Sequence, residues 1–162
     1  MRRADRDEVA AASGKTPAEA LHYSMDKSSA CWTGLICGKP EMMFGVGDLN
    51  VLAGVGAPWM LGTDVVDANY IPFLRASVCW RDQLLGRYPT LRNFVDDRNA
   101  ASIRWLRWLG FTFSEPVMMR GHAFRLFELR SCDVRSIGGS DNRLNAARRG
   151  RRDPAGTSDA GG

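Results

Sequence analysis

Residues 93–113, NFVDDRNAASIRWLRWLGFTF, constrain the fold of this chain more than any other stretch. A β-type run ends at Asp96 and Asp97, Asn99 stands at the mouth of a helix, and Gly110-Phe111 stops it. Asn is among the best N-caps, the two aspartates suit the positive helix end, and Gly110 suits a left-handed C-cap. Trp105, Trp108 and Leu109 repeat on one helical side with Ala101, which predicts that this side faces the core.

The remaining punctuation extends the pattern in both directions. Residues 5–13 read as a short helix closed by Gly14. Thr16-Pro17-Ala18-Glu19 opens a second, with Thr16 as cap, Pro17 in the first turn and Glu19 completing a capping box. ACWTGLIC and PEMMFGVG flank the turn signal GKP and read as a β-hairpin. VLAGVGAPWMLGT reads as a third strand, bent or broken at Pro58. Tyr70, Phe73, Leu74, Ser77, Val78, Arg81, Leu84 and Leu85 keep the spacing of one helical face, and most are apolar. After YPTLRNFVDD and the Asn99 helix, FTFSEPVMM and HAFRLFELR supply two final strands. The order α-α-β-β-β-α-β-α-β-β is that of an α+β domain, a mixed sheet with helices on both faces.

Composition sets the class. A hydrophobic share of 44% and a charged share of 25% are those of a globular chain of 162 residues, enough for one domain. The domain is expected over residues 1–132. Residues 133–162, rich in Gly, Ser, Asp and Arg, read as a disordered basic tail. The net charge of +4 is partly local to that tail, so no nucleic-acid face is expected beyond a weak contact by ARRGRR. Cys31, Cys37, Cys79 and Cys132 lack CxxC spacing, and His22 and His122 lack ligand-like neighbours, so no metal site is expected and the thiols read as buried and free. The charged start MRRADRDEVAAAS does not resemble a signal peptide, and no segment reads as a membrane span.

Asn99, Ser102 three residues on and Gly110-Phe111 resemble the helix motif of the GNAT fold of acyl-CoA-dependent N-acetyltransferases. The runs GKPEMMFGVG, APWMLGTD and LRNFVDDRNAASIRWLRWLGF resemble more narrowly a phage and prophage family of GNAT-like internal virion proteins. The GNAT resemblance implies a cofactor arm lying between two parting strands, the first of them bulged, and an Asn amide able to bond it. It also implies a glycine-rich turn for the pyrophosphate, a Tyr acid seven residues after the Asn, and an opening strand.

This chain departs from that pattern at three places. GTDVVDANYIPF carries Asp64 and Asp67 where two glycines would stand, and two carboxylates oppose a diphosphate by on the order of 1 kcal/mol per close pair. The Tyr position is Leu106, and the chain opens on a helix, so the first strand is expected to be missing and a sheet edge exposed. Glu41, Glu115 and Glu128 are the candidate bases. The resemblance therefore implies a virion or assembly component with phage proteins as partners, found in the virion or the bacterial host cytoplasm, with weak or no acetyl transfer and no cofactor. The alternative is an acetyl-CoA-dependent N-acetyltransferase with an atypical site, holding the carrier through Asn99 and the backbone of Leu61, Gly62 and Thr63.

Overall fold

Helix capping sets the first two elements of this computed structural model, which describes residues 1–138. Helix α1, Arg3–Ser13, ends at Gly14, whose φ of 70° lets its N–H reach the Ala10 carbonyl. Helix α2, Pro17–Asp26, starts with the expected capping box: the Thr16 hydroxyl accepts from the Glu19 N–H, and Glu19 accepts from the Thr16 N–H at 2.8 Å.

Strands β1, Ser28–Ile36, and β2, Lys39–Asn50, form an antiparallel hairpin turned at Cys37 and Gly38, both with positive φ. Strand β3, Val55–Gly62, is antiparallel to β2 and is unbroken at Pro58. Helices α3, Asp64–Ala68, and α4, Tyr70–Arg87, then cross over to β4, Thr90–Asp96, which lies parallel to β3. Helix α5, Ala100–Trp108, leads to β5, Thr112–Phe113, β6, Val117–Met119, and β7, His122–Arg130. The stretch read as one strand from Phe111 is two, because residues 114–116 interrupt it, and both pieces pair with β7. The sheet order is β1-β2-β3-β4-β7-β5, with β6 beside β7, and β1 forms an edge. This is the expected mixed sheet within an α+β fold.

The core runs under the middle strands. Phe124 and Leu129 on β7, Leu91 and Val95 on β4, Val46 on β2 and Leu109 after α5 are almost fully buried. Residues Met1–Ser131 form one unit, and the chain continues as helix α6, Ser131–Gly138. Most of the expected tail, from residue 139 onward, lies outside the described residues.

Three expectations about burial are corrected. All four cysteines are exposed and none forms a disulfide, because they fall on the outer hairpin, on the solvent side of α4 and at the start of α6. On α5 the inward residues are Ser102, Trp105 and Leu106, while Ala101 and Trp108 face outward, Trp108 at 54% exposure. On α4, Ser77 and Leu84 are buried but Tyr70 is exposed, because the short α3 breaks the helix before it and offsets its first turn.

Gly110 sits at φ 97°, as the left-handed stop of α5 requires. Gly110→Ala, whose Cβ would meet nothing closer than Leu129 at 3.8 Å, should cost about 1–2 kcal/mol of stability through the backbone alone. Urea unfolding of the two proteins measures it.

Candidate functional site

Strands β3 and β4 pair only at Val55↔Thr90 and Gly56↔Leu91, and beyond those residues they part. Pro58 explains how β3 runs on without breaking. Its carbonyl accepts the Asn93 side-chain amide of β4 at 2.9 Å, so its ring nitrogen also faces the gap and no ladder bond to β2 is lost. The bulge that the resemblance implies for β3 is absent. The irregularity lies on β2, between Asp48 and Asn50.

The gap opens into a cavity of about 380 Å³. Its walls are Met60 and Leu61 of β3, Asn93 and Val95 of β4, Trp80 of α4 and Trp105 of α5, with Asp5 and Glu8 of α1 across its mouth. A second hollow of about 320 Å³ lies between α4 and α5, bordered by Phe73, Trp105, Arg104 and the exposed Trp108.

Helix α1 joins both lips of the gap. The Arg2 N–H donates to the Gly62 carbonyl at 2.7 Å, and the Gly62 N–H donates to Asp5 Oδ2 at 3.0 Å. The Arg2 guanidinium holds both oxygens of Asp5, at 3.1 and 2.9 Å, and reaches Asp67 at 3.1 Å. On the other lip, Asn99 Nδ2 donates to Glu8 Oε2 at 2.7 Å. Asn99 Oδ1 meanwhile accepts from the Ser102 N–H at 3.2 Å, which is the expected cap. One buried amide thus both starts a helix and grips a carboxyl.

Burial raises the Glu8 carboxyl to about 7; the negative charges of Asp5 and Asp96 add to the rise, and the Asn99 hydrogen bond opposes it. Asp96 is held below its usual range, first by its hydrogen bond from Arg98. Glu8 is therefore a carboxyl poised to take and release a proton near neutral pH. Trp80 adds a second chemical signal. Its indole N–H, on the cavity wall, is the buried side-chain polar atom without a partner among the described residues. An orphaned donor costs roughly 1–3 kcal/mol and invites an acceptor.

The other expected site residues are placed differently. The Gly62 N–H and carbonyl are engaged by α1, and the Thr63 N–H donates to the Glu41 carbonyl at 2.9 Å. Leu61 lines the cavity wall. Thr63 caps α3, and Asp64 and Asp67 fill its first turn. Of the candidate bases, Glu41 is bonded by the Thr63 hydroxyl. Glu128 is lowered, first by its bond from Arg92. Glu115 is exposed on the loop after β5. None of the three borders the cavity. Leu106, in the Tyr position, is a core residue at 6% exposure.

Solved structures share this fold. The chain is similar to the aminoglycoside acetyltransferase AAC(6')-Ib in complex with coenzyme A, at 10% identity and TM-score 0.56, over 71% of this chain and 73% of that one. It is similar to a GNAT acetyltransferase from Streptococcus pneumoniae, at 15% identity and TM-score 0.52, over 72% and 77%. A spermidine N-acetyltransferase chimera from Vibrio cholerae and hSSAT matches at 8% identity and TM-score 0.57, over 73% and 81%. The fold is GNAT. No protein-family model and no curated protein matches the chain, so the narrower likeness to phage virion proteins has no support beyond the sequence runs that suggested it.

A GNAT cofactor tests this site in two parts. The parted strands, the aromatic walls and the waiting Trp80 N–H fit a thin acyl-pantetheine arm, which is apolar with amide carbonyls along it. At the diphosphate end, α3 offers Asp64 and Asp67, with Arg104 across the second hollow and Arg2 committed to Asp5. Glu8, Asp5 and Arg2 escaped the sequence reading, although Arg2, Asp5, Glu8, Val9 and Ala12 follow helical spacing and all border the cavity. A stripe mixing acids with small apolar residues was the available signal.

Glu8 also makes stability depend on pH. Its folded value, about 7, lies above its ordinary 4.5, so its contribution is full below pH 4.5 and is lost as pH rises toward and through 7. Glu8→Gln stays neutral and should gain on the wild type across that window, reaching about 1–3 kcal/mol at pH 8. Denaturant melts at pH 4.5 and 8 check the difference.

Proposed function

We propose that this chain is an acyl-CoA-dependent N-acyltransferase of the GNAT kind, with an atypical carrier site and Glu8 as the base that takes the proton of the acceptor amine. One observation carries the reading: a near-neutral carboxyl and an unpartnered indole N–H border the same through-sheet gap between parted parallel strands. The carrier, when bound, supplies an activated thioester.

The chain's own residues do the rest. Trp80 Nε1 and the β3 backbone hold and orient the arm. Trp105, Met60 and Leu61 exclude water from the gap. Asn99 aims Glu8 by its 2.7 Å hydrogen bond, and burial keeps the Glu8 proton affinity close to working pH. Glu8, when ionised, favours a cationic amine at the mouth. Leu106 leaves the protonation of the departing thiolate to solvent or to the amine's own proton relayed from Glu8.

Acetyl-CoA turnover against a panel of primary amines and polyamines tests this. Glu8→Gln should lower kcat by about 10²–10⁴ with little change in KM for acetyl-CoA. The wild-type rate should rise with pH through about 7, because the base works deprotonated, and the variant should lose that limb. No turnover with any amine overturns the proposal.

The second reading is a phage virion or assembly component that keeps the fold without the chemistry. Leu106 in the core and Asp64 and Asp67 at the crossover favour it. It predicts no heat in a calorimetric titration with acetyl-CoA and recovery of the protein from purified virions.

A further inference from the structure

We propose that the first turn of α1 is a latch on the carrier seat, closed in this structure and displaced when an acyl carrier enters. The inference rests on the acyltransferase reading and concerns how its site is regulated.

Along β3, alternate residues turn their backbone groups toward β4, so Pro58, Met60 and Gly62 form the edge that an extended arm would lie against. The chain itself satisfies most of that edge. Pro58 has no N–H, and its carbonyl is taken by Asn93. Gly62 gives its N–H to Asp5 and its carbonyl to the Arg2 N–H, as it would to a neighbouring strand. Met60 lies between these two positions. A ligand pairing with the Gly62 end must first remove α1.

That removal is inexpensive in apolar contact. Asp5 and Ala11 are the buried residues of α1, so polar bonds rather than a buried hydrophobic face hold the helix. Arg2 concentrates them: it clasps Asp5 with two nitrogens and Asp67 with a third, tying α1 to the crossover helix. The other tie, Asn99 to Glu8, lies on the opposite lip and can hold the far end of the helix. The same helix therefore carries both the base and the obstruction.

Hydrogen exchange on the wild-type chain saturated with acetyl-CoA tests the displacement directly. The amides of Arg6 and Asp7, whose helical bonds run back to the first turn, should lose protection while Gly62 stays protected by the ligand. Ligand bound with α1 protection unchanged overturns the latch. In a second arm, Arg2→Ala and Asp5→Ala, checked for folding by circular dichroism, should bind acetyl-CoA about tenfold more tightly than wild type in calorimetry. Equal or weaker binding by folded variants overturns the latch and leaves the acyltransferase reading standing. No binding by wild type or variants overturns both. If neither variant folds, the exchange result on the wild type decides.

Discussion

Two parallel strands that pair at one end and separate at the other cannot satisfy their own backbones, and that shortage organises this molecule. Past Gly56 and Leu91 the facing edges of β3 and β4 need partners from elsewhere. Pro58 reduces the demand by removing one donor at a position where no ladder bond existed to lose. Asn93 meets one acceptor from across the gap, and α1 meets both groups of Gly62. The position of the N-terminal helix, the burial of Asp5 and the elevated Glu8 all follow from how that unpaired edge is covered.

The electrostatics of the gap follow from the same cause. Covering a backbone N–H with a carboxylate places Asp5 inside the protein, where Arg2 must accompany it. Asp96 is likewise accompanied by Arg98, and Asp97 by Arg125. Glu8 alone among these acids is held by an amide side chain rather than a guanidinium, so burial governs its proton affinity. Pairing separates structural acids from the one available for chemistry.

The fold was legible in the sequence because its signals are local. Thr16 with Glu19, Gly14 and Asn99 with Gly110 each act within a few residues, and the structure uses each as the spacing implied, while the hairpin turn expected at GKP falls one residue earlier, at Cys37-Gly38. Trp108 misled because it occupies the outer side of α5, and helical periodicity does not reveal which side meets the sheet. The site was far less legible. Asn99 and Glu8 are separated by 91 residues, and Asp5 and Gly62 by 57. Nothing in the order of residues announces such encounters. They depend on where the parted strands leave room, and Asn99 read as a plain cap because its second bond is invisible until α1 is in place.

The outer rim of β1 has a consequence of a different kind. Nine residues long and carrying Trp32 at 40% and Leu35 at 63% exposure, it presents a row of amides to solvent at the border of the sheet. Charged gatekeepers, proline and inward-pointing lysines, the usual guards against runaway strand stacking, are absent from Ser28–Ile36. An unguarded edge of this kind favours strand-to-strand association in concentrated preparations, and a single lysine placed there is expected to raise solubility without touching the cleft.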